Sequence, residues 1–233
     1  PTFRHEALEQ YKAQREETPE AIRLSVPIIK EIIRAYRIPI LEVAGYEADD
    51  VIGTLATEAG RQGIITYMMT PDKDYGQLVS DKVFMYRPKH TGGFEVMGVD
   101  EVKAKFDIQS PAQVIDMLGL MGDSSDNIPG CPGVGEKTAQ KLIAEFGSIE
   151  NLLEHTDQLK GALKTKVETN REMITFSKFL ATIKIDVPIQ LDMDSLVREQ
   201  ADEDSLRQIF EELEFRTLID RVLKKENAGN GIT

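Results

Sequence analysis

The sequence predicts an α/β fold, and three observations carry that prediction. An apolar helical run, Val51-Ile52-Gly53-Thr54-Leu55-Ala56, is followed after Gly63 by Ile64-Ile65-Thr66-Tyr67-Met68-Met69, which is apolar, β-branched and of strand length. That strand runs into Asp72-Lys73-Asp74, and in open α/β sheets ligands collect at the carboxyl ends of strands. Two further acidic groups, Glu47-Ala48-Asp49-Asp50 at the mouth of the helix and Asp123-Ser124-Ser125-Asp126 after the apolar stretch Val114 to Met121, also stand at element ends. Element ends are where a fold can aim side chains at a common point.

Residues 1–24 form a polar helical segment with few apolar anchors. Tyr11, Lys12 and Arg15 place a ring and two cations within one turn, Tyr11 and Arg15 at i and i+4. This is either a solvated helix end or a phosphate clamp with a stacking ring for a nucleic-acid strand. Thr18-Pro19-Glu20 caps a helix from about Glu20 to Tyr36 with an apolar stripe at Ile22, Val26, Ile29 and Ile33. Ile38 to Val43 reads as a short strand, and Gly45 turns the chain into the acidic helix. On that helix Asp49 and Asp50 diverge by about 100°, so Glu47 belongs at or before the cap.

After Asp74 come a short helix, a strand Val83 to Tyr86, the loop Lys89-His90-Thr91-Gly92-Gly93 and a strand Phe94 to Met97, a hairpin pattern. Helices near Asp100 to Phe106 and Pro111 to Met121 lead to the last acidic pair, where a helical turn would put Asp123 and Asp126 on one face. Ser148 to Lys184 reads as two or three helices carrying Lys160, Lys164 and Lys166, and Asp204 to Lys225 as an amphipathic closing helix. Asn227 to Thr233 resembles the start of a linker. The expected organisation is a core over 1–126 with residues 1–24 at its base, a helical region over 127–225, and a tail over 226–233.

Glu47, Asp49, Asp50, Asp72, Asp74, Asp123 and Asp126 pose the chemical question. Closely packed carboxylates repel, and the remedies are protonation, a basic neighbour or a divalent cation. No Lys or Arg lies between Glu42 and Arg61. An acidic first turn complementing the helix dipole explains one such group. Three groups point to a shared cation, and oxygen donors without His or Cys favour Mg²⁺ or Mn²⁺ over zinc. Seven acids exceed what one Mg²⁺ needs, so two ions are the natural count, the apparatus of in-line phosphodiester cleavage.

The whole chain bounds this reading. Net charge is −12, but residues 1–128 carry 14 basic and 21 acidic residues (−7), residues 129–184 carry 8 and 7 (+1), and residues 185–233 carry 6 and 12 (−6). The seven candidate ligands account for the first deficit, so the charge leaves DNA open as a partner. No run has the length of a membrane span. One cysteine, Cys131, excludes an internal disulfide, suits a reducing compartment and reads as turn filler between Gly130 and Pro132. The start at Pro1 suggests part of something longer.

Residues 127–147 hold the second signal. Gly133-Val134-Gly135 before a helix exposes backbone N–H groups at its positive end, and Lys137 and Lys141 add charge. Helix, Gly-Val-Gly hairpin and helix make either a plain helix-helix turn or, as the surrounding Pro-Gly-x-Pro-Gly-Val-Gly-x-Lys favours, the DNA-backbone module called helix-hairpin-helix.

Phe3-Arg4-His5-Glu6, Tyr11-Lys12-Ala13-x-Arg15, Gly45-Tyr46-Glu47-Ala48-Asp49-Asp50, Asp72-Lys73-Asp74, Gly122-Asp123-x-x-Asp126-Asn127-Ile128-Pro129-Gly130 and Gly133-Val134-Gly135-Glu136-Lys137-Thr138-Ala139 together resemble the 5′ nuclease domain of bacterial DNA polymerase I, in the flap endonuclease superfamily. The resemblance covers roughly residues 1–225. It implies a mostly parallel sheet flanked by helices, a PIN-like core, beside a helix-hairpin-helix-like region, and divalent-metal-dependent cleavage of DNA at 5′ flaps and nicks. It implies that Glu47, Asp49 and Asp50 serve mainly the first metal and Asp72, Asp74, Asp123 and Asp126 the second. Lys12 and Arg15 would neutralise the scissile phosphate and Tyr11 would stack on the strand. Arg4, Gly133, Val134, Gly135, Lys137 and Lys141 would contact DNA, with a K⁺ ion at the hairpin. A polymerase domain fused C-terminally and a place in the bacterial cytoplasm, at the nucleoid, follow from the same resemblance. Family members carry an N-terminal section with a first strand and two more metal-site aspartates, so this stretch alone is expected to lack part of the first metal's shell. The alternatives are a junction-binding module without chemistry and a metal phosphatase for small molecules.

Overall fold

The computed structural model describes residues 1–89 and 91–223. His90 of the expected hairpin loop, the last two residues of the expected closing helix and the expected linker lie outside them. Two compact units are present: one of Pro1–Arg15 with Glu42–Leu191, the other of Glu16–Leu41 with Asp192 onward. The boundary expected near residue 126 falls inside the first unit.

In the first unit the helices are α1 (Phe3–Ala7), then, after α2 (Glu20–Ala35) of the other unit, α3 (Ala48–Arg61), α4 (Val99–Phe106), α5 (Val114–Met121), α6 (Glu136–Phe146), α7 (Ile149–Glu154), α8 (Gly161–Thr169) and α9 (Arg171–Ala181). Its sheet has three strands among the described residues, β1 (Thr66–Met69), β2 (Val83–Pro88) and β3 (Phe94–Met97), in the order β1-β2-β3. β1 runs parallel to β2 with Thr66 opposite Val83, and β2 pairs antiparallel with β3, Met85 opposite Met97. Alternation along the strands sorts the side chains: Met68, Val83, Met85 and Met97 enter the core. The opposite face carries rings, with Tyr67 stacked on Phe84 and Tyr86 on Phe94. The expected strand Ile38 to Val43 is irregular instead. Pro39 removes a ladder donor there, and the segment falls at the division between units, Leu41 in one and Glu42 in the other.

α5 is apolar nearly all round and therefore central: Val114, Met117, Leu118 and Leu120 are 0 % exposed. It packs chiefly on α9 and α6. Its one acid, Asp116, is buried yet satisfied, its Oδ1 accepting from the Ile149 N–H at 2.9 Å and from Lys178 Nζ at 2.6 Å. These contacts pin α5 to the start of α7 and the middle of α9, fixing the scaffold from which the loop after α5 projects.

The second unit is built on α2 (Glu20–Ala35) and α10 (Glu203–Glu212). Ala35, Leu206, Phe210 and Leu223 form its core, with Ile32 and Tyr36 packed against them. The stripe expected on α2 is largely exposed at Ile22, Val26 and Ile29, and the α2 residues that join this core, Ile32 and Ala35, lie at its C-terminal end. The single closing helix expected from Asp204 is broken after Glu212, where Glu214 takes a left-handed φ of 57°. No helix among the described residues is long and apolar enough to cross a membrane.

Candidate metal centre and nucleic-acid interface

The first acidic group is organised by the start of α3. Gly45, at φ 85°, turns the chain, and Glu47 is the N-cap with extended backbone. Asp50 turns back into the interior, where its Oδ2 accepts the Glu47 N–H at 3.1 Å. Oxygens of Glu47, Asp49 and Asp50 lie within 4.8 Å of one another, a grouping able to hold an ion. The three are not equally available. Asp50 is 0 % exposed, and besides Glu47 it accepts from both terminal nitrogens of Arg4 at 2.8 Å and from the Lys184 N–H at 2.8 Å. Burial pulls its pKa up, but Arg4 and the backbone bonds outweigh it and hold the carboxyl below its ordinary value. Glu47 and Asp49 are the more accessible pair. Burial and the neighbouring Glu47 charge push Asp49 up to about 6.

Arg4, expected on DNA, is 1 % exposed. Its guanidinium donates through Nε to the Leu180 carbonyl at 3.0 Å, to Glu47 Oε2 at 2.9 Å, twice to Asp50, and to the Thr182 carbonyl at 2.7 Å. Guanidinium has five N–H donors, so none is left for a phosphate. Tyr11 is corrected likewise. It is 3 % exposed, and its hydroxyl donates to Glu47 Oε2 at 3.0 Å and lies 3.3 Å from Asp126 Oδ2. Burial and those two carboxylates push the hydroxyl far above its usual range. The helical spacing assumed for Tyr11 and Arg15 is absent, because the chain turns through Lys12 at φ 56°. That turn brings Lys12 Nζ to 2.5 Å from Glu47 Oε1 and 3.4 Å from Asp126 Oδ2, and Arg15 to 2.5 Å from Asp126 Oδ1.

The second group follows β1. Asp72 caps the 3₁₀ turn Lys73–Leu78, its side chain accepting the Asp74 N–H at 3.0 Å. Asp74 Oδ1 is buried with no hydrogen-bond partner. Burial, then the charge of Asp72, and to a lesser extent Asp123 and Asp126, push this carboxyl up to about 7. Asp123 accepts from Lys73 Nζ at 2.7 Å and from the Ser125 N–H and hydroxyl. Burial raises its pKa, and these donors bring it below the ordinary value.

The helical turn expected for Asp123 and Asp126 is instead a loop closed by an antiparallel bridge between Asp123 and Ile128. Backbone packs on backbone at its base: a Cβ on Gly122 would sit 2.5 Å from the Ile128 carbonyl oxygen, and one on Gly130 2.3 Å from the Gly122 nitrogen. The Gly130 N–H also donates to the buried Ser177 hydroxyl at 2.9 Å. The loop thus sends Asp123 toward Lys73 and Asp126 toward Lys12 and Arg15.

Arg4, Lys12 and Tyr11 join Glu47, Asp50 and Asp126, and Lys73 holds Asp123; among the described residues, the three acids whose oxygens all come within 4.8 Å of one another are Glu47, Asp49 and Asp50, not Asp72, Asp74, Asp123 or Asp126. Tyr75, buried, lies among them, its hydroxyl pushed up by burial and by Asp49, Asp72, Asp50 and Glu47. Sequence reading missed Tyr75, Lys73 and Ser125; only the position of Lys73 between two acids signalled it. The donor set fits hard cations: oxygens throughout, one buried oxygen without a partner, and two acids pushed up by burial and by neighbouring carboxylates.

A turn through Gly133, Val134 and Gly135 leads into α6. Gly135 is the N-cap of α6, Gly133 has φ 74°, and Val134 is buried between them as an anchor. Lys137 and Lys141 are exposed on the first turns of α6. Lys166 Nζ donates to the Gly133 carbonyl at 3.3 Å. Cys131 is a buried thiol with its pKa raised by burial, in keeping with a filler role.

Comparison with known proteins accords with this layout. The chain is 41% identical over 223 residues to DNA polymerase I of Bacillus caldotenax and 43% identical over 223 residues to that of Bacillus subtilis, each match covering 95% of this chain. It spans about a quarter of the length of those relatives, 25% in both cases. Among solved structures, T5 5′-exonuclease with bound divalent metal ions (zinc) superposes at TM-score 0.63 with 22% identity, covering 92% of this chain and 79% of that one. The catalytic core of Rad2 in complex with DNA substrate superposes at TM-score 0.64 with 16% identity, covering 97% and 75%. Both share the fold. Family models for the 5′-3′ exonuclease N-terminal resolvase-like domain and C-terminal SAM fold match residues 1–107 and 109–204, and the chain belongs to the 5′-3′ exonuclease family.

Proposed function

We propose that this chain hydrolyses DNA phosphodiesters at 5′ flaps and nicks, as the 5′-3′ exonuclease part of a longer DNA polymerase I. The observation that supports this reading is that Glu47 and Asp126 share Lys12 and Tyr11, with Arg15 on Asp126 and Lys73, between Asp72 and Asp74, bonded to Asp123, in the unit that also presents the Gly133–Gly135 turn. Glu47, Asp49, Asp72, Asp74, Asp123 and Asp126 hold two Mg²⁺ or Mn²⁺ ions, with Asp50 fixing Arg4 behind them. Bound ions of this kind activate water and stabilise the attacking and leaving oxygens of an in-line displacement. Lys12 and Arg15 place positive charge where phosphoryl oxygens gather it. The positive end of α6 behind Gly133 and Gly135, with Lys137 and Lys141, holds the duplex backbone without reading its bases. A K⁺ ion at the hairpin would take the Gly133 carbonyl in place of Lys166. No protein nucleophile is required, and the one thiol is buried. The protein works in the cytoplasm on nucleoid DNA.

A labelled 5′-flap duplex and a small phosphate monoester, each titrated with Mg²⁺, test this. Cleavage of the flap alone is expected. Binding without cleavage at any Mg²⁺ concentration would make the chain a junction-binding module, and hydrolysis of the monoester alone would make it a phosphatase.

A further inference from the structure

Lys12 is held more tightly than a residue waiting for substrate needs to be. Its ammonium sits between Glu47 Oε1 and Asp126 Oδ2, 4.8 Å from the centre of the Tyr11 ring. Its backbone N–H donates to the Asp126 carbonyl at 3.1 Å, and its φ is left-handed at 56°. The side chain is only 15 % exposed. Two different acidic segments therefore share one resident cation. Tyr11 reinforces the bridge by touching the same two carboxylates from the other side.

We propose that Lys12 is the resident counter-ion of the centre: it occupies Glu47 and Asp126 in the ion-free protein, leaves them when a divalent ion binds, and only then becomes available to a DNA phosphate. This rests on the metal-dependent nuclease reading and adds an order of events to it. The physical reason is competition for oxygen. Mg²⁺ binds carboxylate oxygens at about 2.0–2.1 Å, and an ammonium 2.5 Å from Glu47 Oε1 would face that ion at close range. Like charges so placed repel strongly in a partly buried site. Lys12 is on a flexible four-carbon stem and can swing away; Arg4, with all its donors engaged from behind, cannot. Arg15 is more than half exposed and pairs with one carboxylate, Asp126, besides the Ser125 carbonyl, so its release couples less to the ion. By linkage, whatever Lys12 contributes to closing the ion-free centre is subtracted from ion affinity.

The test is acetylation of lysines by an amine-reactive ester, followed by peptide mass spectrometry, with and without Mn²⁺ whose binding is measured on the same sample. Lys12 should be protected in ion-free protein and become several-fold more reactive with Mn²⁺ bound, while exposed Lys137 stays constant. Lys12→Met should bind Mn²⁺ about tenfold more tightly, within the usual range of such couplings. Mn²⁺ binding with Lys12 still protected, or weaker binding by Lys12→Met, would overturn the proposal and leave the nuclease reading standing. Absence of Mn²⁺ binding altogether would overturn both.

Discussion

Replacing Arg4 with Met is expected to destabilise the protein by about 3–5 kcal/mol, the cost of stranding a buried charge. Arg4 ties the first turn of α1 to the first turn of α3 through Asp50 and Glu47, and to the end of α9 through the Leu180 and Thr182 carbonyls. Met fills similar volume but leaves the fully buried Asp50 with only backbone donors. Folded domains have about 5–15 kcal/mol in hand, so this is a large share. For a unit of this size the drop is on the order of 10 °C in melting temperature. The paired variant Arg4→Met with Asp50→Asn should recover part of it, because no buried charge is then unmatched. Thermal unfolding of the three variants checks this. A loss below about 1 kcal/mol for Arg4→Met would mean the network does not hold these segments together.

Asp74→Asn is expected to move activity and stability in opposite directions. Cleavage should fall by about 10³-fold, in the range of losing one electrostatic contact to the transition state. Stability of the ion-free protein should rise at pH 8. In the folded chain Asp74 titrates near 7, against an ordinary value of 3.8. Between those values the folded state holds a proton that the unfolded state has released, so stability falls as pH rises through the window and stays low above it. At about 1.4 kcal/mol per pKa unit, the penalty is on the order of 4 kcal/mol. Asn carries no charge and should escape it. Asp49, held up to about 6, adds to the same slope. Mg²⁺ should therefore raise the melting temperature of the parent protein more at pH 8 than at pH 5, and do much less for Asp74→Asn. A melting temperature of ion-free protein that climbs from pH 5 to pH 8 would contradict the placement of these acids.

What the sequence made legible was whatever depends on neighbours in the chain. Glu47 at the cap, Asp72 and Asp74 after β1, and Gly133 and Gly135 before α6 all follow from local turn and helix chemistry. What it hid was pairing over distance. No cation lies near Glu47 in sequence, yet Arg4 and Lys12 reach it from more than thirty residues away. Spacing put Tyr11 on the substrate and the family resemblance put Arg4 there, when both are buried and bonded to the carboxylates. Apolar pattern also overreached. Ile38 to Val43 has strand composition, but Pro39 and its place at the edge of a unit leave it irregular. The loop of Asp123 to Ile128 has helix-like spacing, and only the close packing of Gly122 on Gly130 shows why it is bridged instead.

Equilibrium binding of Mn²⁺, followed by electron paramagnetic resonance in the parent chain and in Asp49→Asn, Asp74→Asn and Asp123→Asn, most directly tests whether these acids share ions. Saturable binding of about two ions, with each variant losing or sharply weakening at least one, is the expected result. Binding that is unsaturable, or indifferent to all three substitutions, would contradict it.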